Sequence, residues 1–206
     1  MNILILGGTG RVGAKIVTHA LHDSHHVTLL VRTPEKVQIN HENLTIIQGN
    51  GLNKDAILRS LHGINVVISA LNTDGTTTLS ECMPFIIEAM EKEGIKRIIT
   101  IGTAGILQSR VSPNLLRYQS SESKQKSTRA AEEHHKVYDM LKQSKLEWTI
   151  VCPTYLPDGE RLGKYRTDSN FLPEGGVKIS VPDTAEFAYS QIKSSDYIKM
   201  RVGIAY

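Results

Sequence analysis

Residues Asn2-Ile3-Leu4-Ile5-Leu6 form an unbroken aliphatic run that stops at Gly7-Gly8-Thr9-Gly10-Arg11-Val12-Gly13. Apolar residues then continue at helical spacing: Val12, Ile16, Val17, Ala20 and Leu21. A continuous aliphatic strand is buried on both faces, the condition of a central strand in a parallel sheet, and the helix after it must cross back over that sheet. Gly7, Gly10 and Gly13 recur at spacing three, which allows a tight turn, close approach of a ligand to the backbone, and close packing of the helix on the strand. The start of the helix adds free N–H groups and a positive dipole end. Glycines also serve ordinary turns, but the strand before and the amphipathic helix after make this one a cradle for the pyrophosphate of a dinucleotide. Gly7, Thr9, Gly10, Arg11 and Val12 are its candidate contacts.

The alternation continues along the chain. Further strands are expected at His26–Val31, Leu44–Ile47, Ile64–Ala70, Ile95–Ile101 and Trp148–Val151. Between them fall helices from an Asn53 cap through Leu61, from Thr78 to Glu93 and from Thr128 to about Ser144. Beyond Cys152-Pro153, a short strand over Gly176–Val181, a helix from Pro182-Asp183 through Ile192 and a closing strand over Arg201–Ala205 complete the chain. Strands of Val, Ile and Leu without polar alternation, separated by helices, predict a doubly wound parallel α/β sheet with helices on both faces and a small C-terminal elaboration. At 206 residues this is one domain. The stretch Gly102–Ser127 breaks the rhythm; it is long, polar and contains Pro113, and reads either as a surface loop or as a lid over a site.

Composition narrows the function by exclusion. Lys+Arg 24 against Asp+Glu 21 leaves a net charge of +3 with no dense basic block, so a nucleic-acid surface is not expected. Cys82 and Cys152 stand far apart without metal-ligand or redox spacing, which reads as two reduced thiols and no metal site. The N-terminal apolar run is too short for a signal sequence, and no segment reaches membrane-spanning length, so a soluble cytoplasmic protein without membrane contact is expected.

On these motifs the chain resembles the atypical short-chain dehydrogenase/reductase family, in particular its small NAD(P)H-binding members similar to biliverdin reductase B (flavin reductase) and to NmrA-like proteins. The resemblance rests on Gly7–Gly13, on Val31-Arg32 after the second strand and on Val66 to Ala70 after a Gly63 turn. It rests further on Leu146-Glu147-Trp148-Thr149-Ile150-Val151-Cys152-Pro153 and on Ile179-Ser180-Val181-Pro182-Asp183-Thr184-Ala185. It implies a Rossmann-type fold over essentially the whole chain.

The nucleotide is read from the end of the second strand. A site for NAD places a carboxylate there for the ribose 2′-hydroxyl. This chain places Arg32, whose guanidinium suits a 2′-phosphate through charge-assisted hydrogen bonds; a solvated strand-end charge is the alternative. NADP(H) is therefore the expected cofactor, with Arg11 as a second positive contact. Asn50 stands where related proteins carry an Asp toward adenine, with Gly51 beside it, and Ala70 and Leu71 end the fourth strand along the expected ribose and pyrophosphate path.

The chemistry is less directly written. Carbonyl-reducing relatives use a Tyr-x-x-x-Lys pair on the helix beside the nicotinamide. Tyr138 and Lys142 have that spacing, but alignment on Trp148–Pro153 puts the family positions at Ala130 and His134. Tyr138 then lies eight residues further along, about 12 Å too deep. Its role is packing, and His134 reads as a core histidine. Thr103, after the fifth strand, is the nearest hydroxyl to the family's catalytic Ser, with a turn-forming role as the alternative. Pro153 and Tyr155 follow the sixth strand, where Tyr155 can stack on a flat ring. Hydride delivery to a flavin or quinone needs ring stacking more than a dedicated acid. The expected function is NADPH-dependent reduction of a flat aromatic acceptor. The alternative is a non-catalytic NmrA-type sensor of NAD(P)H that contacts a protein partner.

Overall fold

The computed structural model describes residues 1–73, 75–123 and 127–206. Its elements run β1 (Asn2–Leu6), α1 (Arg11–His22), β2 (His26–Val31), β3 (Leu44–Gln48), α2 (Lys54–Leu61), β4 (Val66–Ser69), α3 (Thr78–Lys92), β5 (Arg97–Ile101), α4 (Arg129–Gln143), β6 (Glu147–Pro153), β7 (Arg166–Ser169), α5 (Val181–Ser190) and β8 (Met200–Ala205). The strands form one eight-stranded sheet in the order β3-β2-β1-β4-β5-β6-β8-β7. All neighbouring pairs are parallel except β7 with β8. The strand order reverses between β1 and β4, so their C-terminal ends flank the crevice in which open α/β sheets bind ligands.

Strand alternation builds a core on each face. In β1, Ile3 and Ile5 pack with Val12, Ile16 and Val17 of α1 and with Ala185 and Ala188 of α5. Leu4 and Leu6 point to the opposite core, which holds Ile57 of α2, Met83 and Ile86 of α3 and Val137 and Leu141 of α4. The Asn53 cap forms as expected: its side chain accepts a hydrogen bond from Ala56 N at 3.0 Å.

The doubly wound parallel sheet forms as expected, and its C-terminal elaboration adds one antiparallel edge strand: the polar segment Arg-Thr-Asp-Ser of β7 pairs along β8. No apolar periodicity announces it, since an edge strand is held by backbone pairing and leaves much of its side-chain surface open. Conversely, Gly176–Val181 contributes only an isolated parallel bridge, Lys178 to Tyr155. The chain turns into α5 at once: Ser180 is its N-cap, its hydroxyl accepting from Asp183 N at 3.2 Å.

The Gly102–Ser127 stretch is packed along most of its described length, while residues 124–126 of it lie outside the described residues. A 3-10 turn over Ala104–Ile106 and a second over Arg117–Gln119 bury Ala104, Ile106, Leu107 and Leu116. Glu122 ties the stretch together by accepting from Arg117 Nη1 at 2.7 Å and from Arg110 N at 2.9 Å. Arg110 in turn reaches Asp168 of β7 at 2.6 Å and lies over the Phe171 ring.

Candidate functional site

The crevice at the β1/β4 reversal is built by the glycine turn. Gly7 has φ +74, a left-handed conformation that disfavours any side chain, and a Cβ there would stand 2.9 Å from Leu71 N. A Cβ on Gly13 would stand 2.8 Å from the Gly7 carbonyl carbon and 3.0 Å from Gly8 Cα, so only glycine lets α1 seat this closely on the turn. Gly10, the N-cap of α1, has no side chain to satisfy the first-turn N–H groups, and the first turn contains no acidic residue. The positive end of a 12-residue helix is thus left uncapped. An uncapped helix start behind a glycine-rich turn fits a pyrophosphate.

Of the residues expected to contact a dinucleotide, Gly7, Thr9, Gly10, Arg32, Asn50, Gly51, Ala70 and Leu71 all line one cleft. Arg32 is exposed at its rim, and its side chain has no ion pair or hydrogen bond among the described residues. The Asn50 side chain is partly engaged, its oxygen accepting from Leu52 N at 3.1 Å and keeping one lone pair. Gly49, Asn72 and Thr78 also line the cleft. Gly49 directly follows β3, while Asn72 and Thr78 carry no motif and enter from the connection between β4 and α3.

The other expected contacts lie elsewhere. Val12 is buried in the α1/α5 core. Arg11 turns along the protein surface, donating to Asp158 Oδ1 at 2.8 Å and to the Leu156 carbonyl at 3.1 Å. It thereby ties the segment after β6 to the start of α1. That segment is pinned again where Leu162 N and Gly163 N donate to the buried Asp183 carboxylate at 3.0 and 2.9 Å.

At the C-terminal ends of β5 and β6 stand the candidates for chemistry. Thr103 opens the Ala104–Ile106 turn, its hydroxyl oxygen accepting from Gly105 N at 3.4 Å. The turn is held from behind by Arg201, which donates to the Ile106 carbonyl. Pro153 is buried at the end of β6, opposite Ile204 of β8. Tyr155, two residues on, is 67% exposed.

Tyr138 packs at 5.8 Å, edge to face, on Trp148, while the Arg201 guanidinium lies 4.3 Å over its ring, the environment of a packing residue. Burial pushes the His134 imidazole down to about 4, so it is neutral at pH 7 and supplies no cation to activate a phenol. Burial also raises the thiols of Cys82 to about 11 and Cys152 to about 12, which leaves both as unreactive, unpaired core residues.

Residues 7–195 match the sequence profile of an NAD(P)H-binding family. Over 106 residues, 48% of this chain, the sequence is 33% identical to the photosystem II assembly factor Ycf39 of Synechocystis; the match covers 32% of that protein, so the chain spans about a third of its length. A solved structure from Bacteroides thetaiotaomicron, assigned as an epimerase, superposes with a TM-score of 0.86 at 27% identity, covering 100% of this chain and 96% of that one. A protein of Streptococcus pneumoniae assigned as an NADH-flavin reductase superposes with a TM-score of 0.83 at 24% identity over 100% and 99% of the two chains, a likeness of fold. Among the described residues, no helix is long and apolar enough to cross a membrane.

Proposed function

The chain belongs to the NAD(P)H-binding family, and from that premise we propose that it is an NADPH-dependent reductase that passes hydride to a flavin, quinone or similar flat acceptor in the cytoplasm. The observation that carries this reading is the arrangement along one sheet edge: an uncapped helix start behind the glycine turn, an Arg32 guanidinium without a partner among the described residues, and an exposed aromatic ring at Tyr155. In this reading the first-turn N–H groups of α1 hold the pyrophosphate and Arg32 holds the 2′-phosphate. Asn50 and Gly51 border the adenine, and Ala70 and Leu71 let the ribose approach the backbone. Bound NADPH supplies the hydride. Thr103 donates a hydrogen bond to the cofactor amide or to an acceptor carbonyl, Pro153 shapes the floor, and Tyr155 stacks on the acceptor ring. With no Tyr/Lys pair at Ala130 and His134, the acceptor draws its proton from water.

The test is to mix the protein with NADPH and either FMN or a naphthoquinone and to follow loss of the reduced cofactor's absorbance. Turnover that is faster with NADPH than with NADH supports the reading. Tight NADPH binding with no turnover across a panel of flat acceptors would refute it and return the non-catalytic sensor.

A further inference from the structure

Resting on that reductase reading, we propose that Lys178 and Tyr155 act together to select flat acceptors that carry an anionic group, a phosphate or a carboxylate, beside the ring. The chain after β6 does not leave the sheet at once: Ile179 N donates to the Tyr155 carbonyl and Val181 N to the Pro157 carbonyl, both at 3.0 Å. Tyr155 and Lys178 are the bridged pair of this short parallel ladder. Bridged residues project their side chains to the same face, and their neighbours project to the other. Leu156 and Ile179 pack into the core under α1 and α5. Tyr155 and Lys178 therefore face away from that core, toward the side of the sheet that carries α4 and the Thr103 turn.

The backbone of Lys178 is held on its second side as well, its carbonyl accepting from Tyr206 N at 3.0 Å. Its side chain is exposed, and its ammonium has no ion pair or hydrogen bond among the described residues. Four arginines of this end of the molecule are committed. Arg11 pairs with Asp158, Arg110 with Asp168 and Arg161 with Glu186, and Arg166 donates to the carbonyls of Glu174 and Tyr206. An aromatic plate with one uncommitted ammonium beside it favours a stacked ring whose substituent is an anion, because the ammonium is a compact point charge that needs no fixed geometry. A neutral acceptor would gain the stacking alone.

Acceptor pairs that differ only in charge test this: FMN against riboflavin for phosphate, and a carboxylated naphthoquinone against its methyl ester for carboxylate. The wild-type protein should prefer the charged member of at least one pair by about fivefold in kcat/KM, the scale of one exposed charge contact, and the preference should fall as salt rises. Preference in one pair alone identifies the anion. Lys178→Met should bring that ratio to about one, Lys178→Arg should keep it, and Lys178→Glu should reverse it, whereas Tyr155→Ala should weaken both members of a pair together. Equal kcat/KM for both members of each pair, or a preference that survives Lys178→Met, overturns the proposal. If no acceptor is turned over, the reductase reading fails by itself. Fluorescence titration of FMN and riboflavin into the NADP+-loaded protein then decides Lys178 separately, equal affinities sinking it.

Discussion

Removing the Asp183 carboxylate should destabilise the protein by about 4 kcal/mol, a figure that follows from its partners. Asp183 is fully buried. Oδ1 accepts from Gly163 N at 2.9 Å, and Oδ2 accepts from Leu162 N at 3.0 Å, Ser180 Oγ at 3.1 Å and Tyr206 OH at 2.5 Å. Burial raises its pKa, but the hydrogen bonds from Tyr206, Gly163, Leu162 and Ser180 outweigh it and hold the carboxyl below the usual range. In Asp183→Ala the two hydroxyls can rotate toward other acceptors, whereas the Leu162 and Gly163 N–H groups, fixed in the backbone, cannot. Two orphaned amides at about 1–3 kcal/mol each bracket the loss. For a chain of this length that is roughly 8–16 °C in Tm. Asp183→Asn should cost less, about 2 kcal/mol, because the amide oxygen can face the three donors of Oδ2 while its NH2 opposes Gly163 N. Since the folded-state pKa is depressed, the stabilisation is present above about pH 4 and is lost as pH falls through the folded value. Thermal unfolding followed by circular dichroism reads both effects. An Asp183→Ala Tm within about 2 °C of wild type, or a difference that persists unchanged into strong acid, would refute the reasoning.

Other perturbations separate cofactor binding from packing. Arg32→Ala removes no side-chain hydrogen bond or ion pair among the described residues, so it should weaken NADPH by about 10- to 100-fold in Kd and leave NADH within about threefold, as isothermal titration would show; equal losses contradict a 2′-phosphate role. Gly13→Ala forces a Cβ onto the Gly7 and Gly8 backbone. It should lower stability by about 1–3 kcal/mol and weaken NADPH and NADH alike, read by melting curves with and without nucleotide. His134, neutral down to about pH 4 when folded, resists a proton that the unfolded chain binds near pH 6.5. Stability should therefore fall by up to about 3 kcal/mol as pH drops from about 6.5 to 4, then level off, and His134→Gln should remove that slope in a pH series of urea melts.

Much of the site was legible because its signals are local. The glycine spacing reports backbone conformation within a few residues, and the residues ending β1, β2, β3 and β4 fall together in one cleft because register in a parallel sheet aligns those ends. Tyr138 could be set aside from the family alignment on Trp148–Pro153 together with helix rise, and its packing against Trp148 and Arg201 agrees. Arg11 was not legible as a strap contact, since its partner Asp158 becomes a neighbour only when the chain after β6 folds back over α1. Asn72 and Thr78 carry no motif of their own and enter the cleft through the placement of α3.

By itself the sequence determined the alternation of apolar strands and amphipathic helices, the turn that only glycine can make, and the charge at the end of β2. Periodicity and backbone sterics act over a few residues and need no distant partner. The tertiary structure decided what depends on partners remote along the chain: that polar β7 is a strand, that Asp183 gathers four donors, that Arg11 is taken up by Asp158, and that Lys178 stands beside Tyr155. Hydrogen bonding and charge pairing act only at contact distance, and the fold alone sets which groups come into contact.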